Sequence, residues 1–138
     1  MIQHEGAAKV LSPKGWAAPL GYANGVVASG RVVALAGQIG WNPATSTFEC
    51  DDFVGQVRQA LENVALLLSE AGAEPRHLVR LTWFITDRNA YLSSQRETGL
   101  VYREVLGRNY PPMSVVVVAG LIEERAMVEI EATAVLPT

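Results

Sequence analysis

Cysteine occurs once in this 138-residue chain, at Cys50, so no intrachain disulfide framework holds it together. A lone thiol suits a reducing, cytoplasmic setting. Long apolar runs are missing as well: none approaches the roughly 20 residues that span a bilayer. Met1 to Gly6 has no basic start and no apolar stretch, and does not read as a secretory signal. Basic charge is scarce: 11 Lys and Arg stand against 14 Asp and Glu, with a formal net charge of −3. No Lys/Arg cluster exists to hold a phosphate backbone, so neither nucleic acid nor membrane is an expected partner. The histidines, His4 and His77, lack metal-ligand spacing with each other or with Cys50. There is no G-x-S-x-G elbow and no glycine-rich phosphate loop. No metal and no cofactor is therefore expected.

What is present is apolar residues, 49% of the chain, enough for the core of a single domain over residues 1–138. Val26 to Ala28 and Val32 to Ala36 flank Ser29-Gly30-Arg31, which predicts a hairpin. Phe53, Val57, Leu61, Val64, Leu68 and Ala71 recur at helical steps. Asp51 or Asp52 suits the start of that helix and Gly72 its end. Residues 78–85 alternate as a strand, with Val79, Leu81, Trp83 and Ile85 on one face. Asp87 offers a second helix cap, and a weaker stripe runs from Tyr91 to Val105. Residues 114–119 and 127–136 are strand-like. The order β-β-α-β-α-β-β, with one more strand near residues 8–11, predicts an α+β fold. Two helices cover one face of a mixed sheet of five to six strands.

Two helices leave the other sheet face bare. Val115 to Val118 would place valines on both sides of their strand, and exposed apolar surface costs roughly 25 cal/mol per Å². Either the N-terminal segment covers that face or other copies of the chain do, which points to a homo-oligomer.

Six segments in order resemble the RidA/YjgF (Rid) family. They are Gly37-Gln38-Ile39; Gln59-Ala60-Leu61-Glu62-Asn63-Val64; Ala71-Gly72; Val79 to Asp87; Tyr110-Pro111-Pro112-Met113-Ser114; and Val128-Glu129-Ile130-Glu131-Ala132. The resemblance runs from about Gly21 to Leu136. It implies a chorismate mutase-like fold and a barrel-like homotrimer, with sheets inside, helices outside and small-molecule sites in the intersubunit clefts. Deaminating members pair a cleft arginine with the carboxylate of a 2-imino or 2-enamino acid, and a glutamate helps to orient the attacking water. By the same resemblance the glutamate falls on Glu129, while the arginine position holds Met113. Gly37 and Ser114 lie inside matched segments and are expected to contact ligand.

Met113 weighs most. A guanidinium offers a two-pronged donor set for a carboxylate; a thioether offers no charge. Met113 either lines a cleft for a less charged ligand or fills a gap in the core. Glu129 and Glu131 share one strand face, and burial there would suit a general acid or base, the alternative being a solvated or structural carboxylate. Trp41, Tyr22 and Asn24 are candidates for an aromatic and polar cleft wall. Arg31 and Arg125 are the cations considered as substitutes for the missing arginine. The segment between Asp87 and Pro111 departs from the family, with a longer helix and shorter loop. Two functions remain open: hydrolysis of a reactive enamine, imine or related metabolite, or non-enzymatic binding as a metabolite-binding or accessory trimer. The family's endoribonuclease label fits poorly with an acidic chain.

Two outcomes follow. Light scattering after gel filtration is expected to give about three chain masses, and a monomer at micromolar concentration would contradict the face argument. The protein is also expected to release little ammonia from 2-iminopropanoate made in situ by an amino-acid oxidase. Met113→Arg should recover part of that activity, read as loss of semicarbazone in a competition assay; family-like activity in the unaltered chain would overturn the reading.

Overall fold

The computed structural model describes residues 8–138 and the backbone of Gln3–His4. Its longest helix is α1 (Phe53–Glu70). Of the two candidate caps, Asp52 does the work: its carboxylate accepts from the Gly55 N–H at 3.0 Å. Asp51 instead pairs with Arg125. The helix ends in a Schellman motif. Gly72 adopts a φ of 76°, its N–H bonds to Ser69 O at 3.0 Å, and the Ala73 N–H bonds back to Leu68 O at 2.8 Å. Phe53, Val57, Leu61, Val64 and Leu68 are buried as the periodicity predicts; Ala71 is an exposed cap residue, and Ala73 is buried instead.

The strands are β1 (Gln3–His4), β2 (Ala8–Leu11), β3 (Gly25–Ala28), β4 (Arg31–Ile39), β5 (Leu78–Ile85), β6 (Met113–Val117) and β7 (Val128–Leu136). Helices α2 (Arg88–Ser93) and α3 (Gln95–Leu106) lie between β5 and β6. The mixed α+β class is as expected, with three differences. The strands do not form one sheet: β4-β7-β5-β6 make a four-stranded sheet, mixed because β5 and β6 run parallel, and β1-β2-β3 make a separate one. The expected hairpin is absent, since β3 pairs with β2 and β4 with β7. Gly30, at φ 145°, lies where a Cβ would sit 2.0 Å from Leu136 O, so the turn presses on the end of β7 and sends its two strands to different sheets. The expected second helix is two helices, broken at Ser94, whose hydroxyl donates to Ala90 O at 2.6 Å.

Strand β7 alternates as its sequence predicts. Val128, Ile130, Ala132 and Ala134 enter the core, where they meet α1 together with Leu81, Trp83 and Ile85 of β5. A register shift at Val79 takes that residue out of the expected row and leaves it half-buried. Helices α1 and α3 pack together, with Arg58 and Glu104 paired across their exposed flank at 2.7 Å. The opposite sheet face carries Glu129, Glu131, Arg80, Thr82 and Ser114 along with Phe84 and Val116. That bare face is more polar than a valine run suggests, yet Val32 and Val116 remain 69% and 40% exposed. Edge strand β6 pairs only with β5 among the described residues. No helix among them is long and apolar enough to cross a membrane.

Tyr102 anchors α3 in this core. It is 5% exposed, stacks on Tyr110 at 5.4 Å, and its hydroxyl donates to Asn109 O. Burial, and then the neighbouring Tyr110, push its phenol well above the ordinary range. The folded state therefore favours the neutral phenol. Stability from this group is full below the unfolded value near about pH 10 and declines as pH rises beyond it. Tyr102→Phe is expected to cost roughly 0.5–1.5 kcal/mol at neutral pH through the lost hydrogen bond. It should also lessen the drop in urea midpoint between pH 7 and about pH 10.5. An equal alkaline drop in both proteins would show that Tyr102 is not its source.

Candidate functional site

Met113 opens strand β6 opposite Leu81, so it lies on the helix-covered side. There it packs against the core and also lines a cavity of about 210 Å³. Trp83 contributes the sheet side of the cavity and Tyr91 meets it edge-on at 6.3 Å. The stacked pair Tyr102 and Tyr110 completes an aromatic wall. Trp83 is only 3% exposed, and its indole N–H has no hydrogen-bond partner among the described residues. A buried donor of this kind is a ready partner for a ligand oxygen.

Helix α3 supplies the cavity's polar side. Gln95, Gly99 and Arg103, at four-residue steps, all line it. Sequence reasoning followed the buried stripe Thr98 to Tyr102 and missed this adjacent one, and Arg103 with it. The available signal was a glycine inside a helix, which costs about 1 kcal/mol against alanine and calls for a reason. Here a Cβ at Gly99 would lie 3.6 Å from the Arg103 guanidinium. Neither Arg31 nor Arg125 lines the cavity. Arg31 begins β4 opposite Leu136. Arg125 is paired with Asp51 and lies over the Phe48 ring at 5.3 Å.

Most other candidates gather on the bare sheet face. A Cβ on Gly37 would lie 2.5 Å from Oε2 of Glu129, so the glycine is what admits that half-buried carboxylate. Glu131 and Ser114 flank Thr82 in one cross-strand row. Asn24 lines a recess of about 400 Å³ with Arg80 and Thr133, where the small sheet approaches this face. Tyr22 is exposed; it is the preceding Leu20 and Gly21 that reach the Met113 cavity. Trp41 stands apart, packed on Phe48 at 5.8 Å. Within one chain, then, Met113 and Glu129 occupy opposite faces of one sheet, with β5 between their strands. Among the described residues no group of His, Cys, Asp or Glu is placed to hold a metal ion.

Known proteins share this fold. The family model described as endoribonuclease L-PSP matches residues 15–136. A RutC family protein of Haemophilus influenzae is 38% identical over 106 residues, which is 77% of this chain and 80% of that one. The human 2-iminobutanoate/2-iminopropanoate deaminase is 27% identical over 76% of this chain and 73% of its own. A crystal structure of a Rid family protein of unknown function, YyfB from Yersinia pestis, superposes with a TM-score of 0.82 at 29% identity, covering 94% of this chain and 99% of that one. With the family model spanning nearly the whole chain and the fold matched over almost its full length, this protein belongs to the RidA/YjgF (Rid) family.

Proposed function

We propose that this protein takes up a small reactive metabolite, an enamine, imine or related compound, in the cavity beside Met113 and hydrolyses it. The single observation carrying this reading is the aromatic wall of Trp83, Tyr91, Tyr102 and Tyr110 closing on a thioether where deaminating relatives are expected to place a guanidinium. Such a wall favours a ring or branched chain over a short charged one. Resemblance to the human deaminase supports the reaction class.

In this reading Glu129 is the general acid or base that handles the water's protons. It stands on the sheet face away from the cavity, so a shared site requires a second chain to bring its own Glu129 to the cleft. This supports a homotrimer with intersubunit sites, as do the unpaired edge of β6 and the exposed Val32 and Val116. Gly37, Ser114 and Glu131 share the face with Glu129 and would line the same side of the cleft. Tyr22 and Asn24, on the segment before β3, would form its rim.

Imines made in situ from phenylalanine and from alanine by an amino-acid oxidase test the proposal. The ring-bearing imine is expected to be cleared faster, and Glu129→Gln should lower that rate about 10²–10⁴-fold without loss of trimer. Saturable binding without turnover would favour the second reading, a metabolite-binding or accessory trimer. Neither binding nor turnover would sink both.

A further inference from the structure

We infer that Arg103 of helix α3 is the anion-binding residue of the Met113 cavity, and that the cavity's ligand is a ring-bearing monocarboxylate. The inference rests on the cavity being the ligand site, as proposed above.

Several observations converge on it. Arg103 lines the cavity and is half-buried, yet its guanidinium makes no hydrogen bond or ion pair with any described residue. Arg58 is engaged with Glu104, Arg76 with Glu74 and Arg125 with Asp51, and of the arginines left without such a partner Arg103 is the one that lines this cavity. A half-buried guanidinium whose fork is open toward a cavity is the group that a planar carboxylate fits best. Trp83, which lines the same cavity, has a buried indole N–H without an acceptor among the described residues. A ligand with a carboxylate, or with a neighbouring carbonyl oxygen, satisfies both.

Size and shape set the rest of the ligand. The recess is open on one side and about 210 Å³, room enough for one six-membered ring with a short polar arm. The ring has Trp83, Tyr91 and the Tyr102–Tyr110 stack to lie against. Gly99 keeps the space open: a larger side chain at this point of α3 would project beside Arg103 into the ligand's place. Helix propensity alone disfavours a glycine there, and a cavity explains it.

Phenylacetate and phenylacetamide are suitable probes because they differ in charge and little in shape. Isothermal titration on the native protein should show the carboxylate binding more tightly, and rising salt should weaken it while leaving the amide unchanged. Arg103→Gln should weaken phenylacetate about ten- to several-hundredfold and leave phenylacetamide as it was. Arg103→Lys, which keeps the charge and loses the fork, should fall between. Gly99→Leu should abolish binding of both. If Arg103→Gln binds phenylacetate as the native protein does, or if the native protein prefers neither probe, Arg103 is not the anchor while the cavity remains a site. If the native protein binds neither probe, the cavity reading falls along with it. The salt dependence needs no variant, so the inference stays testable even if a substitution disturbs folding.

Discussion

Everything in this fold depends on how closely helix α1 lies against the chain at the end of β4. At Gly40 a Cβ would sit 2.5 Å from Gln56, so no other residue admits the helix at that distance. Two buried amides then fix the contact. Asn63 donates to the carbonyls of Ile39 and Trp41 at 3.3 and 3.0 Å. Gln56 donates to the carbonyls of Cys50 and Arg125 at 3.2 and 3.0 Å and accepts from the Met127 N–H at 2.8 Å. One side chain thus ties the start of α1 to the chain entering β7, the strand that carries Glu129. Buried amides are costly when unpaired, which makes these bonds a check on register as much as a source of stability.

The same short segment explains two glycines at once. Gly37 opens the bare face to Glu129, and Gly40 opens the covered side to α1. In Gly37-Gln38-Ile39-Gly40 the outer residues serve opposite sides of the chain. Gly37, inside the matched segment, constrains the bare face, and Gly40, just past it, constrains the helix packing. A side chain at Gly37 would displace the carboxylate, and one at Gly40 would displace the helix that holds the sheet.

Legibility followed the range of the interactions. Helix α1 and strand β7 are local patterns with periods of their own, and Asp52, Gly72 and Asp87 announce their caps through neighbours a few residues away. The division into two sheets was not legible, because β3 and β4 choose partners far apart in the chain, Leu11 and Leu136 among them, and a turn at Gly30 looks the same in either case. Glu129, Glu131, Gly37 and Ser114 came from matched motifs, and the sheet gathers them on one face. Arg103 escaped for a physical reason. It lies outside every matched motif, and only the fold shows that it lines the same cavity as Met113.

That placement changes what the methionine means. On sequence alone Met113 is a deletion, a carboxylate anchor removed. In the fold it stands across a cavity from a guanidinium that arrives on a different element. An arginine at both positions would set two like charges in one half-buried cleft, each raising the cost of the other. Methionine at the strand avoids that repulsion when no carboxylate is bound. Its thioether adds a polarizable surface to the aromatic wall. A carboxylate held by α3 lies elsewhere than one held by β6, and its reactive carbon moves with it. On the proposed reading a three-carbon imino acid spans that change poorly, whereas a ring against Tyr102 and Tyr110 would fix the ligand from its other end. Binding of a carboxylate and poor turnover of the smallest imines are therefore consistent properties of one site.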